Sequence, residues 1–155
     1  MGCRKISSRN TDLIIDHATS YTARSIVVTG GEPLLYNLDY LCKELHRRGI
    51  MTFLETSGSS GLSGEWDWIC LSPKKDVPPL QEILEKANEL KVIIEDVKDF
   101  NWAEKNAEQV SSSCILYLQP EWSQREIIIP LIVKYIQEDP KWKISLQSHK
   151  YMKIP

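Results

Sequence analysis

The residues best suited to chemistry stand in four short loops, each directly after an apolar run: Thr29-Gly30-Gly31-Glu32, Glu55-Thr56-Ser57-Gly58, Ser72-Pro73-Lys74 and Gln119-Pro120-Glu121-Trp122. Two successive glycines let a ligand approach the backbone and leave its N–H and C=O groups open, and Glu32 beside them offers a carboxylate to an ammonium. An amino-acid head group would suit this loop. The same residues also read as a structural turn into a helix. Glu55 could hold a substrate amide or carry a proton, or be a solvated carboxylate at a strand end. Lys74, beside Lys75, could place an ammonium over a carboxylate or phosphate, or be solvated. Gln119-Pro120 could present a carbonyl, or end a strand because proline cannot continue the ladder. His149 follows the last strand-like run, whereas His46 lies on the polar flank of a helical stripe and reads as solvated. The three histidines and four cysteines show no zinc-ligand spacing, so no zinc site is expected.

These loops need elements to hold them, and the chain repeats one grammar: a β-branched run, a loop, then a stretch of helical period. Ser25–Thr29 reads as a buried strand opening into the glycines. Asn37 is placed to cap a helix carrying Leu38, Leu41, Cys42 and Leu45 and closing at Gly49. Further strands are expected at Ile50–Glu55, Trp68–Leu71, Leu90–Ile94 and Cys114–Leu118. Leu80, Ile83, Leu84 and Ala87 form a helical stripe, and Asp99 is placed to cap another helix. Ser123 and Glu126 match a capping box, with Pro130 signalling a later start or a kink. Lys143–His149 alternates as a last strand, and the front of the chain shows one helical stretch around Leu13–Ala18 and no convincing strand. Strands alternating with helices argue for parallel βαβ units whose strand C-terminal ends share one rim, where the four loops would gather.

Composition bounds the reading. The 155 residues suit a single domain and one compact core. A net charge of -2 excludes a whole-protein field directed at nucleic acid or an anionic membrane. Apolar runs such as Ile127–Val133 fall far short of the roughly 20 residues that span a bilayer. Cys3, Cys42, Cys70 and Cys114 form no C-x-x-C pair and follow no signal peptide, so buried thiols in a reducing cytoplasm are expected. Met1-Gly2 lacks the Ser or Thr at position 6 that a myristoylation signal needs, Ile6 standing there instead.

The ordered set Val27-Val28-Thr29-Gly30-Gly31-Glu32-Pro33-Leu34, Phe53-Leu54-Glu55-Thr56-Ser57-Gly58, Leu71-Ser72-Pro73-Lys74, Leu118-Gln119-Pro120-Glu121-Trp122, Ser145–Lys150 and Ile154-Pro155 resembles radical S-adenosylmethionine enzymes, within them the 7-carboxy-7-deazaguanine synthase family of the queuosine precursor pathway. The resemblance runs from about Ser25 to Pro155, leaving 1–24 poorly matched. It implies an α/β fold, a partial (β/α) barrel, and conversion of 6-carboxytetrahydropterin to 7-carboxy-7-deazaguanine with loss of ammonia. It also implies that Gly30, Gly31, Glu32 and Ser57 hold S-adenosylmethionine, together with Ser72, Pro73, Lys74, Gln119, Pro120, Glu121 and Trp122. Thr29, Glu55, His149 and the terminal carboxylate of Pro155 would face the pterin, with Glu55 and His149 catalytic. Ser57 stands where many relatives carry Asn, and Ser148 where many carry Thr.

The family also carries a C-x-x-x-C-x-x-C loop for a [4Fe-4S] cluster and a segment near a magnesium site, and neither pattern occurs in these 155 residues. The expectation is therefore a barrel without its first strand and cluster loop, cut from a longer gene or truncated, and inactive alone. The neighbouring strand would then be an open edge that invites a homodimer. The alternatives are a non-catalytic remnant that binds S-adenosylmethionine or pterin, and a subunit that borrows a cluster.

Overall fold

The computed structural model describes residues 8–154, which fall into two compact units that divide between Asn88 and Glu89. The first unit runs α1 (Ser8–Thr19), β1 (Ser25–Val28), a single 3-10 turn (Pro33–Leu35), α2 (Asp39–Arg47), β2 (Met51–Thr56), β3 (Trp68–Leu71) and α3 (Gln81–Lys86). Its strands are parallel, with Val28 opposite Leu54 and Thr56 opposite Leu71. β2 shows why a two-residue period makes a strand here: Thr52, Leu54 and Thr56 are buried while Met51, Phe53 and Glu55 are not. α2 buries Leu41, Cys42 and Leu45 on one stripe and stops at Gly49, whose φ of 70° lets its N–H reach the His46 carbonyl at 2.9 Å.

Asn37 does not cap α2. Its Oδ1 accepts the Asp39 N–H at 3.0 Å, while the cap residue is Leu38, whose N–H donates to Ser63 Oγ. His46 is half-buried rather than solvated. Its Nε2 lies 2.9 Å from Asp67 Oδ2 and 3.0 Å from Thr52 Oγ1, which ties α2 to β2 and to the approach to β3. The Thr52 N–H on Asp67, aided by His46, holds that carboxyl below its ordinary range. The loop before β3 is pressed onto α2 at Gly64, where a Cβ would come 2.6 Å from the Cys42 sulfur. Burial raises that thiol to about 12.

The second unit runs β4 (Glu89–Ile94), α4 (Lys98–Ala107), β5 (Ile115–Pro120), α5 (Arg125–Glu138), β6 (Trp142–Ile144) and α6 (Ser148–Met152), again with parallel strands. Leu90, Val92 and Ile94 fill one face of β4, and Leu118, Ile128, Ile132 and Trp142 are buried with them in this unit's core. Glu104 ties α4 to α5 and β6 by accepting from Tyr135 Oη at 2.6 Å, Lys141 Nζ at 2.6 Å and Trp142 Nε1 at 2.8 Å.

Three expectations are corrected in this unit. Asp99 lies inside the first turn of α4 and reaches back to the Glu95 and Asp96 N–H groups instead of capping the helix. The Ser123/Glu126 capping box does not form, because Ser123 Oγ donates to Glu121, and α5 begins at Arg125 with Pro130 inside it. The last strand ends at Ile144. The Ser145 N–H still bonds the Leu118 carbonyl at 2.9 Å, but the chain then turns, with Ser148 N–H on the Leu146 carbonyl, into α6.

The fold class is α/β, with the parallel strand-and-helix repeat of a partial (β/α) barrel. Among the described residues, no helix is long and apolar enough to cross a membrane.

Candidate functional site

In the first unit the candidate residues sit where β1, β2 and β3 end. After β1 the backbone opens at Gly30, whose φ of 131° excludes ordinary side chains, and at Gly31; no atom lies within 4 Å of where a Cβ on either would stand. A cleft of about 500 Å³ runs past Val27, Thr29, Gly31 and Glu32.

Glu32 anchors this loop. Its Oε1 accepts the Leu34 N–H at 3.1 Å and the Thr56 hydroxyl at 2.6 Å, and its Oε2 accepts both the N–H and the hydroxyl of Ser57. All four lone-pair positions of the carboxylate are thus taken by the protein's own donors. The Ser57 hydroxyl also has Ser59 Oγ at 2.9 Å as a second partner. The buried Thr56 is a member of this group that spacing does not single out. The available signal is only its position between Glu55 and Ser57.

Ser72 and Pro73 are buried just after β3, and the Ser72 N–H donates to the Thr56 carbonyl at 2.7 Å, which fixes that loop against the end of β2. Lys74 is exposed at the start of a tight turn closed by its bridge to Val77. Glu55 is half-buried on β2, and Thr29 is exposed. The first unit therefore brings Glu32 and Ser57 into direct contact through the end of β2, with Ser72 joined to them by Thr56.

In the second unit, Gln119 is buried at the end of β5 and its Oε1 accepts the Ser145 hydroxyl at 3.3 Å. Pro120 stands opposite Ile94, and the Glu121 N–H takes the Ile94 carbonyl at 2.8 Å. Proline is tolerated there because the ladder ends with it. The Glu121 carboxylate closes the turn that leads into α5, whose cap residue is Gln124. It accepts the N–H groups of Ser123 and Gln124 and the Ser123 hydroxyl, and the last of these contributes most to holding it below the usual carboxylate range.

The half-buried Trp122 ring is met by three side chains. The Arg125 guanidinium carbon lies 4.3 Å from its centroid, Lys150 Nζ lies 5.1 Å away, and Tyr151 meets it edge-on at 5.0 Å. His149 is exposed on α6 rather than just after a strand. Pro155 lies outside the described residues.

Cys42, Cys70 and Cys114 are buried and in no disulfide, and burial raises the Cys114 thiol to about 11. Cys3 lies outside the described residues. Among the described residues no group of three or more His, Cys, Asp or Glu side chains could hold a metal ion.

No family model matches the chain. It is 49% identical over 145 residues to a 7-carboxy-7-deazaguanine synthase of Flavobacterium psychrophilum, covering 94% of this chain and 69% of that protein. To the protein of the same name in Synechocystis sp. it is 44% identical over 141 residues, covering 91% of this chain and 67% of the relative. Among solved structures it is similar to that of QueE from Escherichia coli, with a TM-score of 0.77 and 26% identity over 93% of this chain and 73% of that one.

Proposed function

The chain belongs to the 7-carboxy-7-deazaguanine synthase family, and from that premise we propose that it binds S-adenosylmethionine and 6-carboxytetrahydropterin for conversion of the pterin to 7-carboxy-7-deazaguanine with loss of ammonia. The observation that carries this reading is the open Gly30-Gly31 backbone held in place by the fully engaged Glu32. Such a loop fits the methionine end of S-adenosylmethionine, because bare N–H and C=O groups meet its carboxylate and ammonium with no side chain between them.

S-adenosylmethionine, once an electron from outside these residues cleaves its sulfonium bond, would supply the hydrogen-atom abstraction of the family reaction. This chain's own residues bind and orient. Gly30 and Gly31 receive the amino-acid end, Glu32 and Ser57 set the loop and supply negative charge and a hydroxyl, and Ser72, Pro73 and Lys74 limit the room beside it. Thr29 and Glu55 are assigned to the pterin, Glu55 as the group that holds or moves a proton. In the second unit, His149 and Pro155 are assigned to the pterin as well, and Gln119, Pro120 and Glu121 to the cofactor.

The iron–sulfur cluster of the family does not fit the described residues, which offer no set of three ligands. We assign no step to it, and propose that these residues alone do not turn the substrate over. A small-molecule substrate in the cytoplasm is in keeping with the net charge of -2.

Calorimetry tests the binding half of this reading. One site for S-adenosylmethionine and one for 6-carboxytetrahydropterin are expected, and no heat with either ligand overturns it. Iron and sulfide analysis after anaerobic reconstitution tests the other half. Well under one cluster per chain is expected, whereas roughly four irons bound per chain, as in an intact [4Fe-4S] site, contradicts it.

A further inference from the structure

We propose that Trp122 is a positioning residue whose ring latches α6 to the end of β5, and so sets where His149, Lys153 and Ile154 stand. The proposal rests on the assignment of His149 to the pterin. It departs from the cofactor contact that the resemblance implies for Trp122.

α6 has five residues and buries none of them. A helix of that length does not persist in water on its own, since nucleation is unfavourable and only a few backbone bonds follow it. Its order must come from what it touches. From α6, Lys150 places its ammonium 5.1 Å from the Trp122 centroid, and Tyr151 sets its ring edge-on at 5.0 Å and 78°. From the start of α5 the indole is fixed by Arg125, which lies 4.3 Å from the centroid and donates from Nη1 to the Trp122 carbonyl at 2.8 Å.

Lys150 and Tyr151 directly follow His149, so holding those two on the indole sets the rotation of the whole turn, and with it the direction of the imidazole. Lys153 and Ile154 are set by the same latch. Lys153 takes a left-handed conformation at φ 54°, and the Ile154 N–H returns to the His149 carbonyl at 3.1 Å. Ile154 therefore leaves α6 in a direction that depends on the turn staying closed. An indole already met by two cations and an aromatic edge is engaged by the protein itself.

Hydrogen exchange and calorimetry on the full chain test this. In Trp122→Ala the amides of Lys150, Lys153 and Ile154 are expected to exchange about tenfold faster or more, with Val92 and Leu118 unchanged. Trp122→Phe should fall between, and Tyr151→Ala, made from the other side of the contact, should reproduce the effect. The Kd for 6-carboxytetrahydropterin should rise about tenfold in both alanine variants while that for S-adenosylmethionine holds. Unchanged exchange across α6 in both alanine variants overturns the latch. So does a loss of S-adenosylmethionine affinity in Trp122→Ala with α6 still protected, which would make the indole a cofactor contact. If Trp122→Ala loses protection everywhere, Tyr151→Ala decides alone. If the unaltered chain binds neither ligand, the functional assignment fails, and the exchange data still decide whether the latch exists.

Discussion

Gly31 is the residue at which ligand approach separates from folding. Its loop faces open space on the side where a side chain would grow, whereas Gly30 next to it needs a φ of 131°. A leucine at 31 should therefore leave stability nearly untouched, within about 0.5 kcal/mol as for surface changes that touch nothing. The same side chain fills the space that the proposed function assigns to the cofactor's amino-acid end. Gly31→Leu is expected to keep its Tm by scanning fluorimetry and to lose at least about tenfold in S-adenosylmethionine affinity by calorimetry; intact affinity would place the cofactor elsewhere. The Gly-Gly-Glu element could be read from the sequence because it is local. The clasp of Glu32 on Thr56 and Ser57 could not, since its partners lie 24 and 25 residues away and meet only when β1 and β2 pair. His46 escaped for the same reason: its position on α2 suggested water, while Thr52 and Asp67 wait for it across the fold.

Among the elements, the turn that leads into α5 depends on Glu121, four positions before the helix begins. Glu121 receives two backbone N–H groups and the Ser123 hydroxyl, so its charged form is favoured in the folded chain and its carboxyl titrates below the unfolded value of about 4.3. A depressed folded value means that the stabilisation is complete above the unfolded value and is lost as pH falls through the folded one. Glu121→Gln should speed exchange of the Ser123 and Gln124 amides at neutral pH and flatten their acid dependence; equal exchange in both proteins would remove Glu121 as the group that closes this turn. Helix bodies were legible because apolar stripes three and four apart survive any context, as in Leu41, Cys42 and Leu45. Caps were not, because Asn37, Asp99 and Ser123 are all good capping residues and geometry alone chose Leu38, Val97 and Gln124 for the cap positions. Lys143–His149 alternates over too few residues for period to distinguish a strand from a strand end, a bend and a helical turn.

For the molecule as a whole, the titrating groups predict a stability plateau with two falling sides. Asp39, Asp67, Glu104 and Glu121 all sit below their ordinary values in the folded chain: Asp39 first through the Gly64 N–H, Asp67 first through the Thr52 N–H, and Glu104 because its hydrogen bonds outweigh its burial. Each binds its proton more readily when unfolded, so stability should decline below about pH 4. Cys42 and Cys114 act oppositely. Burial lifts them to about 12 and about 11, so the unfolded chain loses protons first and stability should decline above about pH 8.5. Thermal scans from pH 3 to pH 10 check this, and a Tm that keeps rising past pH 9 would contradict it. The alternation of parallel strands with helices was fully legible at this scale, because β-branched runs separated by helical stripes leave few other ways to bury both.

The packing of Gly64 on the Cys42 sulfur turns that thiol into a clock. A reagent cannot reach Sγ while the loop before β3 lies on it, since even one added carbon at Gly64 would come within 2.6 Å. Any alkylation of Cys42 in the folded chain must therefore wait for the loop to lift. The labelling rate of this single sulfur then counts how often the segment between β2 and β3 opens, with no dye or engineered probe required.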